Sequence, residues 1–144
     1  MTDDEGSAAL EFITVGVILL VPLVYLIIAL GVIQEQTLGV DAAARHVARV
    51  LATAPDAKVA AAQGDRVLAD IAEQYGLDGD ATEVSMSCMP AGVDCPSAGA
   101  VVTITVTTRV TLPLIPVLFG GDDAASVGVE GTAVQKISRL WGTG

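Results

Sequence analysis

From Phe12 to Ile33 the chain carries no charged residue, and only Thr14 and Tyr25 have polar side-chain atoms. As a helix, these 22 positions (12 to 33) extend about 33 Å, enough to cross the hydrocarbon core of a bilayer. A soluble chain of 144 residues with 3% aromatics has little with which to wrap a helix that is apolar on every side. The pattern therefore predicts a transmembrane helix over 7–33. Pro22 lies inside it, removes one backbone donor and frees the Ile18 carbonyl, so a local kink is expected there. Gly16 and Gly31 offer places for another helix to approach closely.

Polar residues begin at Gln34, and the period then becomes that of an amphipathic helix. Val40, Ala43, Ala44, Val47, Val50 and Leu51 share one face, with Asp41, Arg45 and Arg49 on another. Pro55 ends this element, so 34–55 reads as a juxtamembrane helix continuous with the span. A second helix follows from Asp56, a candidate N-cap, to Tyr75, with Gly76 as its stop. Val67, Leu68, Ile71, Ala72 and Tyr75 form its apolar stripe.

The pattern then shifts to a period of two. Val84, Met86 and Cys88 alternate with serines; Val102, Ile104, Val106, Val110 and Leu112 share a face of the next run; Val127, Val129, Gly131 and Ala133 alternate in the last. The expected architecture is α+β: a long N-terminal transmembrane helix continuing into an amphipathic helix, a second helix, and a small antiparallel three-stranded sheet with the helices over one face. Thr103, Thr105, Thr107, Arg109 and Thr111 would face water. Between the last two strands lies LPLIPVLFGGDD, whose prolines Pro113 and Pro116 exclude a strand interior. Burial under the sheet is the first expectation for its apolar residues, and contact with a membrane or partner the second. Gly120 to Asp123 reads as a turn, and the tail with Lys136, Arg139 and Trp141 as an amphipathic end.

Composition narrows the function classes. The formal net charge is −10 and no Lys/Arg cluster exists, which leaves no basis for a basic nucleic-acid surface or for adhesion to anionic lipid. No phosphate-binding glycine loop or metalloprotease motif occurs, and the single histidine, His46, leaves no catalytic triad. Asp78, Asp80 and Glu83 form a small acidic cluster; a solvated turn is its first reading and calcium a distant second. No enzyme, cofactor or metal is expected.

Cys88 and Cys95 are separated by a short segment containing Pro90 and Gly92, which allows the chain to fold back. A disulfide is the expected state, and with it an extracytoplasmic body. Two free thiols are the alternative; a zinc site lacks ligands. An ordinary secretory signal fits poorly, because MTDDEG is acidic and the apolar run is too long. Charge placement opposes the orientation that the disulfide favours: no Lys or Arg precedes the run, whereas Arg45 and Arg49 follow it.

The entrance to the apolar run is the most specific stretch. Gly6 is followed by four small or apolar residues, then Glu11, then the run; cleavage after Gly6 would make Ser7 residue one and Glu11 residue five. This arrangement resembles the prepilin peptidase site of type IV pilins and pseudopilins. With the AALEF entry, the internal proline, the DAAARHVARV stretch, the cysteine pair, the Thr/Val strand and the LPLIPVLFGG segment, the chain resembles TadE-like proteins. These are minor pilins or pseudopilins of tight-adherence (Tad) pili. The resemblance implies a leader (1–6) with processing at Gly6–Ser7, and an assembly role for Glu11 and Phe12. It implies a single-pass membrane protein with a cytoplasmic N-terminus and an extracytoplasmic domain (56–144), incorporated into a pilus or acting in its assembly. The implied partners are a prepilin peptidase, the major and other minor pilins, and an inner-membrane assembly platform. The alternative reading is an uncleaved membrane-anchored binding module.

Overall fold

The structure is a computed structural model and describes residues 4–113 and 126–142, with side chains from Ala8 onward. The element order is α1 (Asp4–Thr53), α2 (Ala57–Tyr75), β1 (Glu83–Met89), β2 (Val101–Thr111) and β3 (Ser126–Lys136). The expected α+β architecture is present. Helix α1 is unbroken over 50 residues, Pro22 included, and it joins the apolar run to the amphipathic stretch. Its start lies three residues before Ser7, so the helix includes Asp4 to Gly6 of the expected leader.

Helix α2 begins and ends where its capping residues dictate. The Asp56 carboxylate accepts the Val59 backbone N–H at 2.8 Å, and Gly76 adopts the left-handed conformation (φ 63°) that glycine enters without a Cβ penalty. α2 returns alongside α1, and the crossing is tight at Gly39. A Cβ there would come within 2.7 Å of the Tyr75 Cβ.

The three strands form an antiparallel meander in the order β1-β2-β3. Register places Val84, Met86 and Cys88 opposite Val106, Ile104 and Val102, and Val127, Val129, Gly131 and Ala133 opposite Val110, Thr108, Val106 and Ile104. These residues share the inner face. Thr108 belongs to that row too; it is buried, and its hydroxyl is hydrogen-bonded to the Thr82 hydroxyl at 3.0 Å. Such a bond is what makes a buried hydroxyl tolerable.

The core is where α1 lies across β2 and β3. Val40, Ala43, Ala44, Val47 and Leu51 of α1 are buried together with Val102, Ile104, Val106 and Val110 of β2. Here the structure departs from the expectation that both helices cover the sheet. α2 packs on α1, and a groove of about 250 Å³ separates it from β1, with Leu68, Val84 and Met86 on its walls. Small residues at Ala43, Ala44 and Ala48 let α1 settle close to its neighbours, so α1 alone takes the central place.

The C-terminal tail closes the top of the domain. Ile137 is buried, and the Trp141 indole N–H donates to the Leu51 carbonyl at 3.1 Å. The segment 114–125, which holds most of the apolar stretch and the Gly120–Asp123 turn, lies outside the described residues.

Candidate assembly surface

From Ala8 to Val24 every residue of α1 is exposed, and the helix leaves the domain behind. Ile18, Leu19, Leu20 and Val21 are consecutive, point in four directions around the helix, and are all exposed. Phe12 is 81% exposed. Water does not tolerate a continuous apolar cylinder of this kind on a soluble protein, and the helix is long and apolar enough to cross a membrane. The one hydroxyl near its entrance is satisfied internally, since Thr14 Oγ1 donates to the Leu10 carbonyl at 2.8 Å. The Tyr25 hydroxyl is buried and has no hydrogen-bond partner among the described residues.

Gly6 and Ser7 lie in the first turns of α1, one turn before Glu11. Glu11 and Phe12 are exposed beside each other at the entrance to the apolar run. Among the described residues the single ion pair is Arg45–Asp41, at 3.5 Å on the exposed side of α1. The first Lys or Arg of the sequence is Arg45, 34 residues beyond Glu11. At the helical rise this is about 51 Å away, so no basic side chain of the same helix reaches Glu11. Among the described residues the carboxylate has no cationic neighbour.

Gly16 and Gly31 have nothing within 4 Å of a built Cβ. Within one chain, the close approaches occur instead at Gly39 and at Gly131, where a Cβ would meet the α1 backbone. Sequence reading missed both. Only the placement of Gly131 on the inner face of β3 was visible in the alternation.

Cys88 and Cys95 are joined in a disulfide, with S–S 2.05 Å and Cα–Cα 5.6 Å. It ties the end of β1 to the loop leading to β2, and no free cysteine remains among the described residues. Closing so short a loop is expected to contribute about 2.5 kcal/mol on the chain-entropy account. Protein from the cell envelope should therefore show a mass two hydrogen atoms below the reduced chain under non-reducing conditions, and a lower melting temperature after reduction. Two free thiols in that material would be the contrary result.

The acidic cluster is a structured turn: the Asp78 carboxylate accepts the Asp80 N–H at 3.0 Å, and the Asp78 carbonyl accepts the Thr82 hydroxyl at 2.6 Å. His46 is exposed on α1. No group of three or more metal-ligating side chains occurs among the described residues.

Fold and surface together define an α+β domain carried on a helix able to span a membrane. Compared with protein-family models, curated proteins and solved structures, the chain matches none.

Proposed function

We propose that the protein is a minor pilin or pseudopilin that acts in assembly of a Tad-type, type IV-like pilus, after a prepilin peptidase removes residues 1–6. The observation that carries this reading is a single carboxylate, Glu11, exposed at the entrance of an apolar helix that runs without a break into the domain. A charge in such a place is costly unless a partner meets it. Cleavage after Gly6 creates one: the α-ammonium of Ser7 on a neighbouring subunit. The apolar cylinder then has two successive environments, the bilayer before assembly and packed helices of other pilins after it. The role is structural, with no catalysis by the chain. The Cys88–Cys95 disulfide supports an extracytoplasmic domain and hence a cytoplasmic N-terminus.

The mature N-terminus tests this reading. Intact-mass measurement of membrane-derived protein should show loss of residues 1–6 when a prepilin peptidase is co-expressed and the full chain when it is absent. Gly6→Trp should abolish the conversion while leaving membrane insertion intact, because the apolar run is unchanged. A mature chain that still begins at Met1 or Thr2 beside an active peptidase defeats the proposal.

A second reading has its own support. Val84 and Met86 are 42% and 41% exposed on the inner face of β1, beside the open groove next to α2. An uncleaved, membrane-anchored binding module would use such a groove, and the same mass measurement separates the two readings.

A further inference from the structure

β1 is an edge of the sheet that the domain leaves open. Its seven residues pair continuously with β2, without a bulge. Among the described residues no strand or loop backbone bonds to its other side. Alternate residues therefore point unpaired N–H and C=O groups outward. A lysine or a proline commonly protects such an edge, and Glu83–Met89 contains neither. The inner face beside the edge is uncovered as well. Val84 and Met86 look into the groove, whose far wall is Ala57, Ala61, Gly64 and Leu68 of α2. Small side chains on that wall leave the space unfilled.

The widths of the two layers account for the opening. α1 rests directly on β3 at Gly131. Helices pack about 8–10 Å apart and strands about 4.8 Å apart, so α2, beside α1, stands roughly two strands away, over β1. Two helices side by side cover about four strands, and this sheet has three. The vacant position is the one beyond β1.

A second copy of the chain does not fit there. β3 runs with α1, since Gly131 lies at Val40 and Trp141 bonds Leu51 farther along, and β1 is parallel to β3. Antiparallel pairing of β1 with the β1 of another copy would make the two α1 helices cross one bilayer in opposite senses. This exclusion rests on the membrane-spanning reading of α1. Pairing with the β3 of another copy would set that copy's α1 about 5 Å from α2, well under the distance two helices need. A lone strand that carries no helix does fit. Its chemistry follows from the walls. Asp65 is the single charged residue among the described ones that line the groove. Glu83 opens β1, and Asp78 and Asp80 stand just before it. The site is apolar inside and acidic at its rim.

We propose that β1 accepts a fourth strand from another protein: an extended segment, apolar at alternate positions, that carries a lysine or arginine. Its backbone continues the ladder on the free edge of β1, its apolar side chains enter the groove under α2, and its cation meets Asp65 or Glu83. The groove is the one that an anchored binding module would use. It is complete within the domain whether or not residues 1–6 are removed, so strand binding and the mature mass answer separate questions.

The experiment uses the full chain in a non-ionic detergent, with empty micelles as the blank. The probe is a labelled peptide of alternating valine and threonine with lysine at both ends; its twin ends in glutamate. Fluorescence anisotropy should show saturable binding of the lysine peptide, several-fold tighter than its twin. Hydrogen exchange should slow at alternate amides of β1 and stay unchanged in β3. Ala61→Trp fills the groove and should abolish binding; Ala61 is exposed, so the fold does not depend on it. Gln63→Trp, exposed on the opposite side of α2, should bind as wild type. The inference is overturned by absent binding, by equal affinity for the two peptides, by unchanged binding in Ala61→Trp, or by protection that falls outside β1. Protection of β1 that rises with protein concentration in the absence of peptide assigns the edge to a second copy and also overturns it. None of these results touches the pilin reading, which the mature mass decides.

Discussion

Gly131→Val is expected to unfold the domain or leave it without a cooperative transition. At this position the β3 backbone lies directly on the backbone of α1. A Cβ added to Gly131 would sit 2.5 Å from the Val40 carbonyl carbon and the Asp41 nitrogen, and 2.6 Å from the Val40 oxygen. These are main-chain atoms in the middle of a helix, so neither neighbour can rotate away as a side chain would. β3 is hydrogen-bonded to β2 on one side, and α1 is held by α2 as well as by the sheet. Overpacking at ordinary core positions costs about 1–3 kcal/mol. A backbone-to-backbone clash should fall at or beyond the top of that range even for Gly131→Ala, with valine worse. Gly128 provides the control, because it lies on the same strand and a Cβ there meets nothing within 4 Å. Thermal melts in detergent, followed by circular dichroism, should show Gly128→Ala near wild type and Gly131→Ala strongly lowered. Equal melting temperatures for the two variants would mean that α1 and β3 are not in backbone contact.

How much of this architecture was legible in the sequence follows from the range of the interactions. Local signals read correctly: Asp56 and Gly76 bound α2, the alternation marks all three strands, and of the 40/43/44/47/50/51 stripe all but Val50, which is half-buried, lie on the buried face of α1. Each of these depends on neighbours within a few residues. The missed features depend on residues distant in sequence. Nothing near Gly131 in the chain reveals that Val40 will lie across it. Gly39 is similarly silent about Tyr75. The alternation of β2 puts Thr108 on the inner face, but nothing near it in the chain shows that Thr82 will be brought beside it. The placement of α2 beside α1 rather than over β1 is also a tertiary choice, settled by small side chains that let α1 occupy the centre. At the candidate assembly surface the entry motif and the disulfide were readable.

Glu11→Ala is expected to give a subunit that inserts and is cleaved but does not assemble. Insertion depends on the apolar run and cleavage on Gly6, and neither changes. Glu11 is the one charged residue between Ser7 and Gln34, and the nearest basic side chain in sequence, Arg45, lies far up the helix. When helices pack around this position, the carboxylate loses hydration that only an opposite charge can replace. The Ser7 α-ammonium of an adjacent subunit supplies that charge in the proposed assembly. The subunit's own Ser7 amine, one turn away on the same helix, is the competing partner. An intrachain pair would make Glu11 a local stabiliser of the helix start and leave association untouched. Co-purification with the major pilin and other minor pilins therefore decides between them. Loss of co-purification in Glu11→Ala, with normal membrane extraction and a normal mature mass, supports the intersubunit pair. Glu11→Gln separates charge from shape: it keeps the length and hydrogen-bonding capacity but cannot neutralise an ammonium, and it should fall close to alanine in the same assay. Wild-type pili and wild-type partner recovery with both variants would remove Glu11 from assembly and favour the anchored-module reading.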